Sequence, residues 1–274
     1  MVWTKITQGQ YRRDGLRYAS DTTDEEWAII ACELPAGFGR GRPRTTAMRA
    51  VVDGIFYIAQ TGCQWRLLPK DFPPFTTVQS YFYEWRDSGR WEAINHALLM
   101  RAREAAGREA SPSAGVIDSQ SVKTTETGGP RGYDAGKKVK GRKRHILTDT
   151  GGLLAKVNVH TADIQDRDGA VPLLDSARSL FVWLRHVFAD GGYSGTKLTD
   201  ALAEIGTWTI EIIKRSDVAK GFVLLPRRWV VERTFAWLNR NRRLAKDFEA
   251  TIASAEAWIY AAHVKLLSRR LARA

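Results

Sequence analysis

Hydrophobic positions in the first part of the chain recur at the three- and four-residue spacing of amphipathic helices. Thr23, followed by three acidic residues, predicts the start of the first helix, and Pro35 predicts its end. Helical spacing covers residues 23–34, 45–61, 76–85 and 90–106, and Thr76 with Thr77 is expected to cap the third helix. The pattern therefore predicts an all-helical region over residues 23–107, interrupted by a basic turn at residues 37–44 and preceded by a loose polar arm over residues 1–22.

The pattern changes after a linker rich in small residues at positions 106–113. Short apolar runs typical of β-strands occupy residues 115–118, 145–148, 153–159, 181–188 and 208–213. Helical spacing returns at residues 165–180, 197–205, 227–244 and 252–271. Three strands followed by alternating helices and strands predict an α/β fold, a mixed β-sheet flanked by helices, and this is the element order of an RNase H-like fold. We expect that domain over residues 113–250, with a C-terminal helix over residues 251–274.

The charge of the chain narrows the class of its partners. Lys and Arg exceed Asp and Glu by 42 to 30, and the formal net charge of +12 favours nucleic acid or an anionic membrane surface, although a ribosome-associated or simply basic protein would have the same charge. No apolar stretch approaches the roughly 20 residues that span a bilayer, and no signal peptide is visible. The two cysteines indicate no disulfide framework. We therefore expect a cytoplasmic protein with no membrane partner.

Two aspartates stand where metal-dependent phosphodiester chemistry would need them. Asp118 and Asp190 each follow a short apolar run, and the two glycines after Asp190 allow a phosphate to approach the backbone closely. Carboxylates at the ends of strands from one sheet can converge on Mg²⁺, and phosphodiester cleavage commonly uses two such ions. Taken singly, an aspartate after a strand is more often a turn or cap residue.

A third acid, Glu232, lies inside an apolar and basic stretch with helical spacing. A helix over residues 227–244 would place it on one face with Arg228, Asn239 and Arg243. That face suits a site that holds both a metal ion and a DNA phosphate. The alternative interpretation of Glu232 is a surface ion pair that stabilises the fold by less than about 1 kcal/mol.

Other polar residues have local explanations. Asp149 suits the turn of a β-hairpin, and three aspartates just before a predicted helix suit N-capping: Asp163, Asp166 and Asp168. We interpret His160 as a structural hydrogen-bonding group rather than a metal ligand.

Basic residues concentrate in two places. The densest tract, residues 137–145, is expected on a loop leading into the second strand, near Asp118, where cations would neutralise DNA phosphates; a solvated basic loop is the alternative. Its expected DNA contacts are Lys137, Lys138, Lys140, Arg142, Lys143 and Arg144. The second group surrounds Glu232 and comprises Arg228, Arg233, Arg240 and Arg243. The glycine-rich residues 128–137 lack the spacing of a phosphate loop and have Lys138 where Ser or Thr would bind magnesium, so no nucleotide is expected.

Four ordered motifs together resemble the DDE transposases of bacterial insertion sequences, most closely the IS-five family. They are residues 116–123 (VIDSQSVK), the tract 137–145 (KKVKGRKRH), residues 189–195 (ADGGYSG) and residues 227–238 (RRWVVERTFAWL). Residues 62–69 (GCQWRLLP) and 81–91 resemble the helical N-terminal region of that family. The resemblance extends from about residue 21 to residue 250.

The resemblance implies an RNase H-like catalytic domain that holds two Mg²⁺ or Mn²⁺ ions on Asp118, Asp190 and Glu232. It implies an enzyme that binds the terminal inverted repeats of its element in double-stranded DNA, cuts there and joins the 3′ ends to target DNA, as a homodimer associated with the nucleoid. Two companions of the third acid differ from a related signature, because Leu225 stands in place of Tyr and Asn239 in place of Lys. The alternatives are a DNA-binding regulator or inactive domesticated transposase, and a nuclease without strand transfer.

Overall fold

Helices precede the sheet in the computed structural model, which describes residues 9, 11–35, 45–126, 128–213 and 226–274, with only the backbone of residues 226–228. These helices are α1 (Asp24–Ala31), α2 (Met48–Thr61), α3 (Phe75–Asp87) and α4 (Arg90–Glu104). Thr23 and Glu26 form the capping box that the first helix needs. The expected cap at Thr76 and Thr77 is wrong, because α3 begins one residue earlier, after Pro74, and no side chain caps it. The basic turn at residues 37–44 lies outside the described residues.

The second part of the chain forms the predicted mixed sheet. Its strands are β1 (Ala114–Lys123), β2 (Gly132–Asp134), β3 (Val139–Asp149), β4 (Leu154–Thr161), β5 (His186–Ala189) and β6 (Thr209–Ile212). β3 pairs antiparallel with β1 on one side and with β2 and β4 on the other, while β1, β5 and β6 run parallel. Helices α5 (Asp166–Arg178), α6 (Thr196–Ile205), α7 (Pro226–Leu238) and α8 (Ile252–Leu271) complete the domain. The α/β, RNase H-like architecture is confirmed.

Several boundaries differ from the sequence-based expectation. β1 continues past Asp118, because nine of its residues pair with β3. β3 begins at Val139, so most of the basic tract lies in a strand and not in a loop. β5 begins at His186, after a turn in which Trp183 is 69% exposed. α7 ends at Leu238, whose carbonyl accepts a hydrogen bond from the Asn241 side chain.

The C-terminal helix α8 joins the helical region to the sheet. It packs against α4 on one side and β4 on the other. The Trp258 ring stacks on Phe82 of α3, with 4.2 Å between ring centroids. One hydrophobic cluster therefore runs from Ile30 in α1 to Leu267 in α8. Residues 251–274, expected as a separate segment, contribute to the core of both regions. Across the described residues, no helix is long and apolar enough to cross a membrane.

The described part of the N-terminal arm is held against the helices and is not loose. Thr22 donates hydrogen bonds from its backbone and its hydroxyl to the buried carboxylate of Asp53, at 2.8 and 2.9 Å. Arg13 forms a two-pronged ion pair with Glu26. These contacts join residues far apart in the sequence, so the polar composition of the arm did not reveal them.

Candidate active site

Asp118 and Asp190 lie side by side on neighbouring parallel strands. The parallel pairing of β1 with β5 ends at Val116 and Phe188. Asp118 follows Val116 by two residues, and Asp190 follows Phe188 by two residues. Because side chains alternate along a strand, both carboxylates leave the sheet on the same face. They line one cleft, together with Ile213 and with Val231 of α7.

Backbone amides orient both carboxylates. The Ser119 amide donates to Asp118 Oδ1 at 2.7 Å, and the Gly192 amide donates to Asp190 Oδ1 at 2.8 Å. The pKa of Asp118 is nevertheless raised to about 6, because burial disfavours its charged form and the carboxylates of Asp190 and Asp166 lie nearby. Of the residues that the structure describes, none forms an ion pair with Asp118. A largely buried carboxylate beside other carboxylates is a favourable environment for a cation.

Glu232 lies beside this cleft on α7, which packs against β1 and β5. Its neighbour Val231 lines the cleft, whereas the exposed Glu232 side chain lines an adjoining open groove with Ser119 and Lys137. The structure thus brings two of the three predicted acids into one cleft and the third next to it. Among the described residues, no group of three or more His, Cys, Asp or Glu side chains stands ready to hold a metal ion.

The prediction that Arg243 shares a helix face with Glu232 is wrong, because α7 ends at Leu238. Asn239, directly after the helix, still lines the open groove with Glu232. Arg243 lies in the next turn, where its guanidinium pairs with Glu249 at 2.6 Å and stacks over Trp258. Its expected DNA contact would require these interactions to break. Arg240 is exposed. The Arg228 side chain lies outside the described residues.

Arg233 is also held within the fold. Its guanidinium lies between the rings of Trp229 and Trp237, 4.6 and 4.7 Å from their centroids. It also donates a hydrogen bond to the Gly151 carbonyl at 2.7 Å. The Trp229–Arg233–Trp237 stack forms a continuous stripe on α7, with Trp229 42% exposed.

The basic tract divides into an exposed and a buried part. Lys137, Lys138 and Lys140 are exposed, and the Lys137 ammonium donates to the Ser119 carbonyl at 3.1 Å, beside the acidic cleft. The next three cations of the tract are at most 4% exposed: Arg142, Lys143 and Arg144. The expectation that these three present their charges to DNA from a loop is therefore wrong for this fold.

Internal partners account for the burial of those three side chains. Arg142 pairs with Asp247 at 3.2 Å and donates to backbone carbonyls, including that of Glu249. Arg144 donates to the carbonyls of Leu244 and Lys246. These arginines fasten the segment between α7 and α8 to the sheet. Lys143, on the other face of β3, pairs with Asp166 at 2.8 Å.

Asp166 is a site residue that sequence reasoning missed. The N-cap of α5 is Gln165, without a side-chain capping hydrogen bond, and Asp166 is the first residue of the helix. Its Oδ1 instead accepts from the Ser119 hydroxyl at 2.7 Å, next to Asp118. Its partners Ser119 and Lys143 lie 47 and 23 residues away in the chain. Because N-capping already explains an aspartate at this position, the sequence does not distinguish a capping residue from a site residue.

A buried chain of hydrogen bonds supports the site from behind. Tyr193, just after Asp190, pairs its hydroxyl with His145 Nε2 at 2.7 Å, and His145 Nδ1 lies 3.4 Å from His160 Nε2. Burial lowers the pKa of His145 to about 3 and also lowers that of His160, so both rings are neutral. The consistent assignment is that Tyr193 donates to His145, His145 donates to His160, and His160 donates to the Thr161 carbonyl. His160 thus has the structural role expected of it.

Comparisons with known proteins show which family the chain resembles. The family model described as "Transposase DDE domain" matches residues 109–267, and the model "Putative transposase of IS4/5 family" matches residues 22–95. A putative transposase for insertion sequence element IS402 from Burkholderia cepacia is 33% identical over 141 residues, which is 49% of this chain and 64% of that protein. Uncharacterized protein y4sN from Sinorhizobium fredii is 32% identical over 93 residues, 34% of this chain and 66% of that protein.

A third relative covers a larger share of its own length. The uncharacterized 16.2 kDa protein of insertion element IS402 from Burkholderia cepacia is 28% identical over 111 residues, which is 38% of this chain and 74% of that protein. The chain spans slightly less than two thirds of the length of the other two relatives. No solved structure matches the chain.

Proposed function

The chain belongs to the DDE transposase family, and from that premise we propose that it binds the terminal inverted repeats of an insertion sequence, cleaves the DNA there and transfers the 3′ ends to target DNA. The observation that carries the proposal is the pairing of Asp118 and Asp190 at the end of the parallel β1–β5 ladder, in one cleft. Such a pair of carboxylates beside neighbouring parallel strands is suited to metal-dependent phosphodiester chemistry.

The residues at this cleft fit a divalent cation. Asp118 and Asp190 offer hard oxygen ligands, and the pKa of Asp118 is raised first by burial and then by the neighbouring carboxylates, both of which a bound cation would offset. We propose Glu232 as the third ligand, because its neighbour Val231 already lines the cleft. Bound Mg²⁺ or Mn²⁺ would activate the attacking water or 3′-hydroxyl and stabilise the leaving oxygen.

The protein's own groups have separate tasks in this proposal. The amides of Ser119 and Gly192 hold the two carboxylates in orientation. Lys137 reaches the cleft, while Lys138 and Lys140 extend positive charge outward over the solvent-exposed turn. Phosphates would meet these lysines first, and the cation contacts would position the scissile bond without reading its sequence.

The test is the Asp118→Asn variant on DNA that carries the element's inverted repeats. We expect it to bind this DNA with affinity within about threefold of the unaltered protein, and to lose Mg²⁺-dependent nicking and joining by at least roughly 10³-fold, as expected when an interaction needed in the transition state is removed. Gel-based nicking assays and joining assays with pre-cut 3′ ends measure the two steps.

Asp175→Asn provides the matched control, because Asp175 is an exposed aspartate of α5 with no place in the cleft. It should nick and join like the unaltered protein. Undiminished cleavage by Asp118→Asn would refute the proposal. Nicking without any joining by the unaltered protein would instead identify a nuclease that lacks strand transfer.

A further inference from the structure

A second charged feature lies at the far end of α7, between the N-terminal arm and α8. Five cations and two aromatic rings line a groove there; the basic groove, as we name it, comprises Arg13, Arg240, Lys265, Arg269 and Arg273 with Tyr11 and Trp237. Arg240 and Arg273 are exposed at its rim, and Lys265 is only 5% exposed in its floor. The groove unites three separate segments of the chain, so its charge is not visible as a run in the sequence.

The cations of the basic groove outnumber the carboxylates that pair with them. Over the stretches that the structure describes, Glu26 is the one carboxylate that ion-pairs with any of the five cations: it pairs with Arg13 at 2.7 Å and lies 4.0 Å from Arg269. Lys265 has the Gln60 side-chain oxygen as its hydrogen-bond acceptor. Several cations held together in a partly dehydrated groove repel one another, and an anion that entered would remove that cost.

The pKa values of the deeper cations are lowered first by burial and then by this repulsion. Burial, followed by the charges of Arg269 and Arg13, holds the pKa of Lys265 well below its usual range. Burial and Arg13 lower the pKa of Arg269 to about 10. Both groups gain from a ligand with negative charge.

The surroundings of the groove favour a nucleic acid over a small anion. The groove continues into the Trp229–Arg233–Trp237 stack on α7, and Arg273 lies over the Tyr11 ring, 4.3 Å from its centroid. An arginine stacked on a single ring, as Arg273 is, can still donate from its edge to phosphate, whereas Arg233 is enclosed between two rings and already donates to the Gly151 carbonyl. Trp229 and Trp237 are eight residues of α7 apart, about 12 Å along the helix axis, so the surface suits a polyanion, whereas a single phosphate would occupy one end of it.

The groove also lies close to the acidic site. Trp237 follows Glu232 by five residues of α7, which corresponds to about 8 Å along the helix axis and a rotation of roughly 140° around it, so the two side chains leave α7 on different faces. The axial separation is smaller than even the roughly 12 Å width of the DNA major groove, so a duplex bound along α7 has the dimensions to contact both faces.

We propose that the basic groove binds the phosphate backbone of the duplex on which the acidic site acts. The inference rests on the proposed function for the identity of the DNA, and it adds a contact surface formed by the N-terminal arm and α8. Arg240 and Arg273 form its accessible rim, and Arg13, Lys265 and Arg269 form its floor.

The test compares Arg240→Gln/Arg273→Gln with the control double variant Arg178→Gln/Arg185→Gln, which removes the same charge from exposed positions away from the groove. Binding to duplex DNA is measured in EDTA from about 50 to 200 mM salt, so that no cleavage intervenes. We expect the groove variant to bind roughly tenfold more weakly at the middle of this range, with a salt slope smaller by about 2, because each lost phosphate contact lowers it by about 0.9. The control should keep the slope of the unaltered protein.

A positional measurement accompanies the affinities. A photocrosslinker attached to Arg273→Cys, in a variant whose Cys32 and Cys63 are replaced by serine, should label duplex DNA, while the same group at Arg185→Cys should not. Equal salt slopes in the groove and control variants, or no labelling from position 273, would overturn the inference. Loss of self-association without DNA, with the slope unchanged, would assign the groove to a second copy of the chain and would equally overturn it. A protein that shows the expected slopes but never nicks DNA would refute the proposed function and leave the groove standing.

Discussion

The two halves of the basic tract, residues 137–140 and 142–145, have similar composition and opposite surroundings. The first half is a turn and the start of β3, with three exposed lysines near the acidic cleft. The second half lies in the middle of β3, with Arg142 and Arg144 facing the segment before α8 and Lys143 and His145 facing α5. The alternation of side chains along one strand distributes four polar residues between two buried faces.

This difference shows that the position of a charge in the sheet determines its role more than its density in the sequence. A cation at the exposed end of β3 remains available to a ligand. A cation two to four residues further is enclosed by neighbouring strands and helices, where it must find internal acceptors or destabilise the fold. The exposed half is therefore a candidate for DNA contact, and the buried half is structural.

The largest expected effect comes from removing a buried cation, which tests whether the buried half of the tract is structural. Arg142→Ala leaves Asp247 buried without its ion pair, and several backbone carbonyls lose their donor. We expect the free energy of unfolding to fall by about 3–5 kcal/mol, measured by urea denaturation with circular dichroism. Lys140→Ala, in the exposed half, should change it by less than about 0.5 kcal/mol. Equal effects from the two variants would contradict the division.

Sequence patterns could predict the elements but not the enclosure of these charges. Helical spacing located α8 at residues 252–271, as the structure has it, because its apolar face is a local property of the sequence. The partners of Arg142 and Arg144 lie about 100 residues away in the segment before α8. A hydrophobic pattern carries no information on such distant acceptors. The charged first part of β3 is therefore predicted as a loop from the sequence alone.

The candidate site shows the same limit. The proximity of Asp118 and Asp190 could be predicted, because each follows an apolar run and neighbouring parallel strands place equivalent side chains together, although β1 itself continues past Asp118 to Lys123. The role of Asp166 could not, because it depends on Ser119 and Lys143, which reach this side chain only through the packing of α5 on the sheet. The basic groove was hidden for a related reason, since it combines single cations from three segments.

A pH-dependent test sharpens the comparison at His145, the last residue of the buried half. Its pKa is lowered to about 3 in the folded protein and is about 6.5 in an unfolded chain, so the unfolded state takes up a proton as the pH falls below 6.5. This histidine therefore contributes stability that is present near pH 7 and is lost on acidification. His145→Gln lacks that loss.

The stability advantage of the unaltered protein over His145→Gln should shrink by about 2 kcal/mol between pH 7 and pH 5. Urea denaturation of both proteins at each pH measures it, and the contributions of other titrating groups cancel in the difference. Lys140→Gln serves as the control, because this substitution removes no imidazole. The difference in the free energy of unfolding between this variant and the unaltered protein should be the same at pH 7 and pH 5. A constant gap for His145→Gln would mean that the imidazole is solvated and charged in the folded state.

The smallest expected effect concerns the exposed half. Lys138→Gln/Lys140→Gln should leave the free energy of unfolding within about 0.5 kcal/mol of the unaltered value, since both side chains are exposed. If these lysines contact phosphates, the affinity for duplex DNA should fall roughly tenfold, about 1.4 kcal/mol, and the salt slope should fall by about 2. The same binding series in EDTA measures both quantities, with Arg178→Gln/Arg185→Gln as the charge-matched control. A loss of stability with unchanged DNA binding would reverse the roles of the two halves, because it would make Lys138 and Lys140 structural and leave Lys137 as the one lysine of the exposed half placed to contact phosphate.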